Sequence, residues 1–283
     1  MEKFRGEVDG ILCREWTTIM KRIIVKLKNA VKESGVLPSF NVRKKLAALY
    51  LKGEGLEIGA LHLPTKIPQN VSVKYVDIAT RDENIRRFPE LGTSKIVNTD
   101  YLENGFEIRS IPEVSQDFVI ANHVLEHADN PLKVLINWGR VIKPQGIMMI
   151  TVPLAARSFD KGRPETTLEH FIDDYRLNEA GETIKFRERN REHIAEWLRI
   201  PAPRVAKMRG EVVLNSDRES MARRVEEMSE AENMDIHFHT FSISSFANLL
   251  ECFAADIAGN FRVVEICCSR GDSEVVAILK KLC

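Results

Sequence analysis

The sequence predicts an α/β protein built on a seven-stranded, mostly parallel sheet that ends in an antiparallel hairpin. Three observations carry this. Residues 117–153, DFVIANHVLEHADNPLKVLINWGRVIKPQGIMMITVP, read as strand, helix, strand. Such a unit makes its two strands parallel, with a right-handed crossover. Upstream, residues 56–58 and 71–77 are short apolar runs on either side of a glycine turn at Gly59. Near the C-terminus, residues 261–268 and 274–279 are two more strands, and the turn between them is too short for a crossover.

Taken in order, residues 16–32 form an amphipathic helix. Trp16, Ile19, Met20, Ile23, Ile24, Leu27 and Val31 make its apolar stripe, with Lys21, Arg22, Lys26, Lys28 and Lys32 on the other positions. A basic helix can bind a membrane surface or a partner, but a helix packed on the domain with a solvated lysine face is the simpler reading. Residues 41–52 give a second helix, capped by Asn41, with Val42, Leu46 and Leu49 inward and Gly53 as its stop. Pro64 and Pro68 leave little room for a helix after Gly59. The second strand ends on Asp77, residues 81–88 make a short helix, and residues 95–99 make the third strand.

In the central unit, residues 118–121 are a buried strand. Asp129 and Asn130 can cap a helix that has Pro131 at its first position. Leu132, Leu135, Ile136, Val141 and Ile142 recur at helical spacing, and the turn at residues 143–146 ends the helix before a strand at 147–152. Residues 154–235 are charged and helical in pattern. Thr166-x-x-Glu169 reads as a capping box that opens a helix containing His170, Asp173, Asp174 and Tyr175, and residues 182–198 form another helix. Residues 236–241 return to the core as a strand. Ser242 or Ser244 then caps a helix that buries Phe246, Leu249, Leu250 and Phe253. The chain thus divides into a helical N-terminal extension (1–52), a core (53–153 and 236–283) and a helical lid or insertion (154–235).

Composition narrows the function. The 283 residues are 44% hydrophobic, ample for a core, and 41 basic residues balance 41 acidic ones. A general nucleic-acid binder needs a basic excess, so none is expected as partner. The five cysteines are scattered without a C-x-x-C pair, which fits reduced thiols in a cytoplasmic protein. No run approaches a membrane span. Oligomeric state leaves no mark in the sequence.

The wording HVLEH, the following VIKPQG and the motif EIGALH together resemble the class I S-adenosylmethionine-dependent methyltransferases, type 11-like, in the branch whose first motif reads EIGALH. The resemblance covers residues 56–153 closely and 236–278 more loosely, and it implies a Rossmann-like fold with S-adenosylmethionine as cofactor. It also implies site residues. Glu57, Gly59 and Ala60 would hold the methionine end, Asp77 the ribose hydroxyls, and Asp100 with Tyr101 the adenine. Asn122 and His123 would lie against the sulfonium. Gly59-Ala60-Leu61-His62 departs from the family's usual G-x-G-x-G, and the missing helix counts against a pyrophosphate cofactor such as NAD more than against S-adenosylmethionine. The resemblance implies methyl transfer to an oxygen or nitrogen of a small-molecule or glycan-like acceptor. An inactive S-adenosylmethionine-binding module and a nicotinamide oxidoreductase are the rival readings.

Two histidine patterns remain. His123-x-x-Glu126-His127 matches a zinc-protease spelling, H-x-x-E-H, but the segment sits on a strand exit and breaks at Asp129–Pro131, so no metal is assigned to it. His170 and Asp174 share a face of a predicted helix, and His237 and His239 share a face of a predicted strand. If the lid folds over the cleft, these pairs could meet as a general base or, second to that, a divalent metal site. The plain alternative is that each histidine satisfies local backbone groups. His170, His237 and His239 are the catalytic candidates.

Overall fold

The computed structural model describes residues 42–210, 217–231, 234–268 and 272–283. The predicted basic helix, the Asn41 cap and the rest of the extension through residue 41 lie outside the described residues, as do residues 269–271 of the hairpin turn.

The strands are β1 (Gly53–Ile58), β2 (Val71–Asp77), β3 (Tyr101–Leu102), β4 (Gln116–Asn122), β5 (Ile142–Pro153), β6 (Phe261–Cys267) and β7 (Glu274–Lys281). They form one sheet in the order β3-β2-β1-β4-β5-β7-β6. β1 to β5 run parallel, and β7 pairs antiparallel with both β5 and β6. At Gly55 a Cβ would come within 2.3 Å of the Phe118 carbonyl, so only glycine lets β1 approach β4 this closely.

Helices cover both faces, which is why the central strands read as continuous apolar runs. On one face α1 (Val42–Tyr50) places Leu46 and Ala47 against Phe118, Ile120, Met149 and Ile278. On the other, α3 (Pro131–Val141) and α8 (Ile243–Cys252) bury Trp138, Phe246 and Leu250 against Leu56, Val119 and Ile150. Asn130 caps α3 by accepting from Lys133 N–H at 3.1 Å, with Pro131 next, and Ser242 caps α8. Between α1 and α3 lies the short α2 (Arg81–Arg87), opened by a Thr80–Glu83 capping box.

The insertion holds α4 (Leu168–Glu179), α5 (Thr183–Arg199), α6 (Pro201–Arg209) and α7 (Arg218–Ser229). It does not stand off from the body. Phe171 of α4 stacks on Phe241 within the main core, and Ile194 and Leu198 of α5 share a smaller core with Ile236 and Phe238.

Four expectations need correction. The third strand is Tyr101–Leu102 rather than residues 95–99, because Ile96 C=O accepts from the Arg81 side chain and Val97 N–H donates to Leu61 C=O. Residues 236–240 form no strand. Phe238 and His239 N–H both donate to the Glu126 carbonyl and Thr240 N–H donates to the Thr166 hydroxyl, so no neighbouring strand receives them. That bond occupies Thr166, and Thr167 caps α4 instead. Finally, α3 ends at Val141, and residues 143–146 are an irregular stretch inside β5, where the register with β4 jumps.

Candidate active site

The carboxyl ends of β1, β2 and β4 open on one edge, the edge where open α/β sheets receive ligands. Glu57, the penultimate residue of β1, is buried there. Its carboxylate accepts from Thr65 N–H at 3.0 Å, the Thr65 hydroxyl at 2.7 Å and Asn122 Nδ2 at 3.1 Å. Burial pushes its pKa up against these bonds. Glu57 therefore clamps the loop of residues 59–70 onto the sheet, and Asn122 of β4 completes the clamp. Gly59 leaves β1 with φ 63°, a left-handed conformation, and a Cβ there would press on Val124 Cγ2 at 3.1 Å. Ala60 follows, with its carbonyl accepting from Leu63 N–H. The loop contains no helix.

Asp77 closes β2 half-buried, and its Oδ1 accepts from Ala79 N–H at 2.9 Å; burial raises its pKa. β3 pairs Tyr101 with Val76 and Leu102 with Asp77, so Asp100 stands level with Tyr75 and Glu57, exposed, with its carboxylate accepting from Tyr75 N–H at 2.8 Å. Tyr101 packs against the main core, with Lys74 Nζ 5.6 Å from its ring centre. The residues that follow β3 at the edge are Glu103, whose N–H donates to Asp77 C=O, and Asn104.

His123 also has a left-handed backbone, φ 55°. Its Nε2 lies 2.7 Å from Glu274 Oε2, and Glu274 is in turn held by both guanidinium arms of Arg43. Burial disfavours the charged ring, but Glu126 and Glu274 outweigh it and raise the pKa to about 9. The Glu126 contact, at 3.5 Å, is an ion pair without hydrogen-bond geometry.

Behind His123 two buried polar clusters form. In the first, His237 Nδ1 meets Asp160 Oδ2 at 2.6 Å, and Arg163 donates to Asp160 Oδ1 at 2.8 Å and to the carbonyls of His237 and Phe238. His237 Nε2 points toward Glu126, 3.9 Å from Oε1, and His127 stands edge-on to the His237 ring. Burial lowers the pKa of His127; Glu126 stays below the usual carboxylate range because the surrounding histidines outweigh its burial.

In the second cluster, Asp174 Oδ2 lies 3.1 Å from both His170 Nε2 and His239 Nε2. His193 Nε2 is 3.0 Å from His170 Nε2, and His239 Nδ1 donates to Ala128 C=O. Arg189 Nη1 sits 3.0 Å from His170 Nδ1.

The model of a family described as a methyltransferase domain matches residues 45–265. The chain belongs to this methyltransferase family. The chain is similar to solved structures at low identity. A SAM-dependent methyltransferase of Aquifex aeolicus is 14% identical, with 84% of this chain and 87% of that one covered and a TM-score of 0.42. A Rhodobacter sphaeroides protein described provisionally as a zinc-dependent alcohol dehydrogenase is 11% identical over 87% and 92% of the chains, TM-score 0.45. The N-methyltransferase NodS of Bradyrhizobium japonicum, in complex with S-adenosyl-L-homocysteine, is 10% identical over 81% and 78%, TM-score 0.38. These likenesses are too distant to bear on the acceptor. No curated protein matches the sequence.

In the methyltransferase, then, Glu57, Gly59, Ala60, Asp77, Asn122 and His123 gather on one edge, and on β3, at the same end of the sheet, Asp100 stands level with Glu57 and Tyr101 with Ile58. The two histidine pairs meet only by half. His239 joins His170 and Asp174, but His237 turns away to Asp160, because residues 236–240 are not a strand and neighbouring side chains need not alternate. Sequence reasoning missed Asp160, Arg163 and His193. The three-residue spacing of Asp160 and Arg163 is a local sign of pairing, whereas nothing local links His193 on α5 to His170 on α4.

Proposed function

We propose that the protein methylates an oxygen or nitrogen of a small-molecule or glycan-like acceptor at the carboxyl edge of the sheet. The observation that carries this is the buried group Glu126–His237–Asp160, placed directly after β4. The sulfonium of the cofactor supplies a methyl group on an activated leaving group, so the protein's share is to align the acceptor, exclude water and help remove its proton. A buried carboxylate and imidazole beside the strand exit suit that last task. His170 and His239 both turn Nε2 to Asp174, whereas His237 meets Asp160 through Nδ1 and keeps Nε2 toward Glu126, so His237 is the acceptor-side candidate among the three histidines.

The edge residues fit the cofactor. Gly59 offers bare, left-handed backbone where a ligand can approach closely, and Asp77 offers a half-buried carboxylate for the ribose hydroxyls. Glu57 acts at one remove, through the loop it clamps. The loop of residues 59–70 has no helix to receive a pyrophosphate, which speaks against the nicotinamide reading.

Turnover against a panel of hydroxylated and amine-bearing small molecules and oligosaccharides, with S-adenosylhomocysteine formation as readout, tests the reading. His237→Gln should lose turnover while keeping S-adenosylhomocysteine affinity. Binding of the cofactor with no turnover on any acceptor would favour an inactive binding module, and full activity of His237→Gln would remove His237 from the reaction.

A further inference from the structure

Glu126 is fully buried, and neither carboxylate oxygen has a hydrogen-bond partner among the described residues. A buried carboxylate left in that state is costly unless something else meets it. His123 Nδ1 pairs with Glu126 Oε1 at 3.5 Å on the cleft side, and the other groups that face the carboxylate are imidazole nitrogens. Glu126, His127 and His237 each offer one ligand atom, and these atoms lie within 4.8 Å of one another. The 2.6 Å contact with Asp160 places a hydrogen on His237 Nδ1, so in the neutral ring Nε2 turns its lone pair toward Glu126. A lone pair and a carboxylate repel unless a cation or a proton lies between them. His127 Nδ1 is also buried without a hydrogen bond, its nearest charged partner being Asp235 Oδ1 at 3.3 Å. Asp160 behind His237, itself fixed by buried Arg163, is the arrangement that orients a metal-bound histidine and sets its tautomer.

We propose that Glu126, His127 and His237 bind a divalent first-row metal of the zinc type, leaving a coordination position open toward the acceptor. Two imidazoles and one carboxylate are the donor set of catalytic zinc sites, which keep a fourth position for water or substrate. The metal's role rests on the methyltransferase reading above and takes the place of the base role given there to Glu126 and His237, since a nitrogen bound to metal has no lone pair left to accept a proton. Bound at the open position, an acceptor hydroxyl gives its proton to solvent. Its oxygen then attacks the methyl carbon, and the electron pair of the breaking C–S bond stays on sulfur, leaving S-adenosylhomocysteine.

The other cluster, His170, Asp174, His193 and His239, also has its ligand atoms within 4.8 Å of one another, and there too an imidazole Nε2, that of His239, faces a carboxylate and Asp174 Oδ1 has no hydrogen bond, so it is the rival site that the experiment must separate. Arg189 can only donate, so His170 Nδ1 accepts and His170 Nε2 carries the hydrogen that faces Asp174 and His193.

The full chain, stripped by chelator and dialysed, is titrated with Co²⁺ while visible d–d absorption is followed, and zinc is counted after reloading by elemental mass spectrometry. Stoichiometric uptake is expected, weakened about tenfold or more in His237→Gln and Glu126→Gln and unchanged in His193→Gln. Circular dichroism checks each fold, and Asp160→Asn replaces Glu126→Gln if the latter does not fold. Uptake that never reaches stoichiometry, or that His193→Gln abolishes and His237→Gln spares, overturns the proposal. Calorimetry with S-adenosylhomocysteine on the same samples separates the two readings. Metal bound without that affinity removes the cofactor reading alone, and affinity without metal removes the metal site alone.

Discussion

His237 and Asp160 stand 77 residues apart in the chain and meet Nδ1 to Oδ2 at 2.6 Å, both buried. Arg163 makes the meeting possible. Its guanidinium neutralises Asp160 and ties down the carbonyls of His237 and Phe238, so one side chain fixes both the carboxylate and the segment that carries the imidazole.

Arg163→Met should therefore cost about 3–5 kcal/mol of folding stability, the range for removing one partner of a buried ion pair. Urea unfolding measures it. A loss under about 1 kcal/mol, the worth of an exposed pair, would show that the network is not structural.

Asp77 and Asp100 should behave differently toward the cofactor. Asp77→Ala is expected to weaken S-adenosylhomocysteine binding by about 1–3 kcal/mol, the cost of charged hydrogen bonds lost to the ribose. Asp100→Ala should leave it within error, since Asp100 sits exposed and its carboxylate is engaged by Tyr75 N–H. Calorimetry on the two folded variants decides, and the reverse ranking would move the ribose site.

Gly59→Ala should be destabilised by about 1–2 kcal/mol, because an L-residue must adopt φ 63° there and its Cβ meets Val124. Denaturant midpoints report the loss. A neutral Gly59→Ala would mean that the β1 exit relaxes freely.

The insertion should loosen in mild acid. Folded His193 stays neutral down to about pH 2, because burial and the neighbouring His239 and His170 charges oppose protonation more than Asp174 favours it. In the unfolded chain a histidine takes its proton near pH 6.5. Protons thus favour the unfolded state, and stability falls as pH drops below about 6.5, by at most about 1.4 kcal/mol per pH unit for one group. Unfolding free energies measured between pH 7 and 5 should show this slope, and His193→Gln should flatten it; an unchanged slope in that variant assigns the effect elsewhere.

The sheet was legible because its central strands β4 and β5 are apolar runs with both faces buried, and the 117–153 unit announces its own crossover. Asn130 and Pro131 marked the start of α3 for the same local reason, a capping oxygen followed by a fixed φ. The third strand misled because residues 95–97 look apolar enough, while their backbone is claimed by the Arg81 side chain and the Leu61 carbonyl. Glu57 was visible as a strand-end acid, but that it holds Thr65 rather than facing outward depends on how the loop folds back. The split of His237 from His239 was invisible, since it needs a segment whose hydrogen bonds go to Glu126 and Thr166 across the fold.

β7 lies between β5 and β6, so the middle of the sheet's far half is filled by the last of the seven strands to leave the ribosome. Until Glu274–Lys281 emerges, β6 has no neighbour and β5 keeps an open, largely apolar edge over residues 147–153, the kind of edge that templates aggregation. The same late strand delivers Glu274 to His123 and Arg43. The cleft and the closed sheet are thus completed in one event, and a chain truncated before Glu274 loses both together.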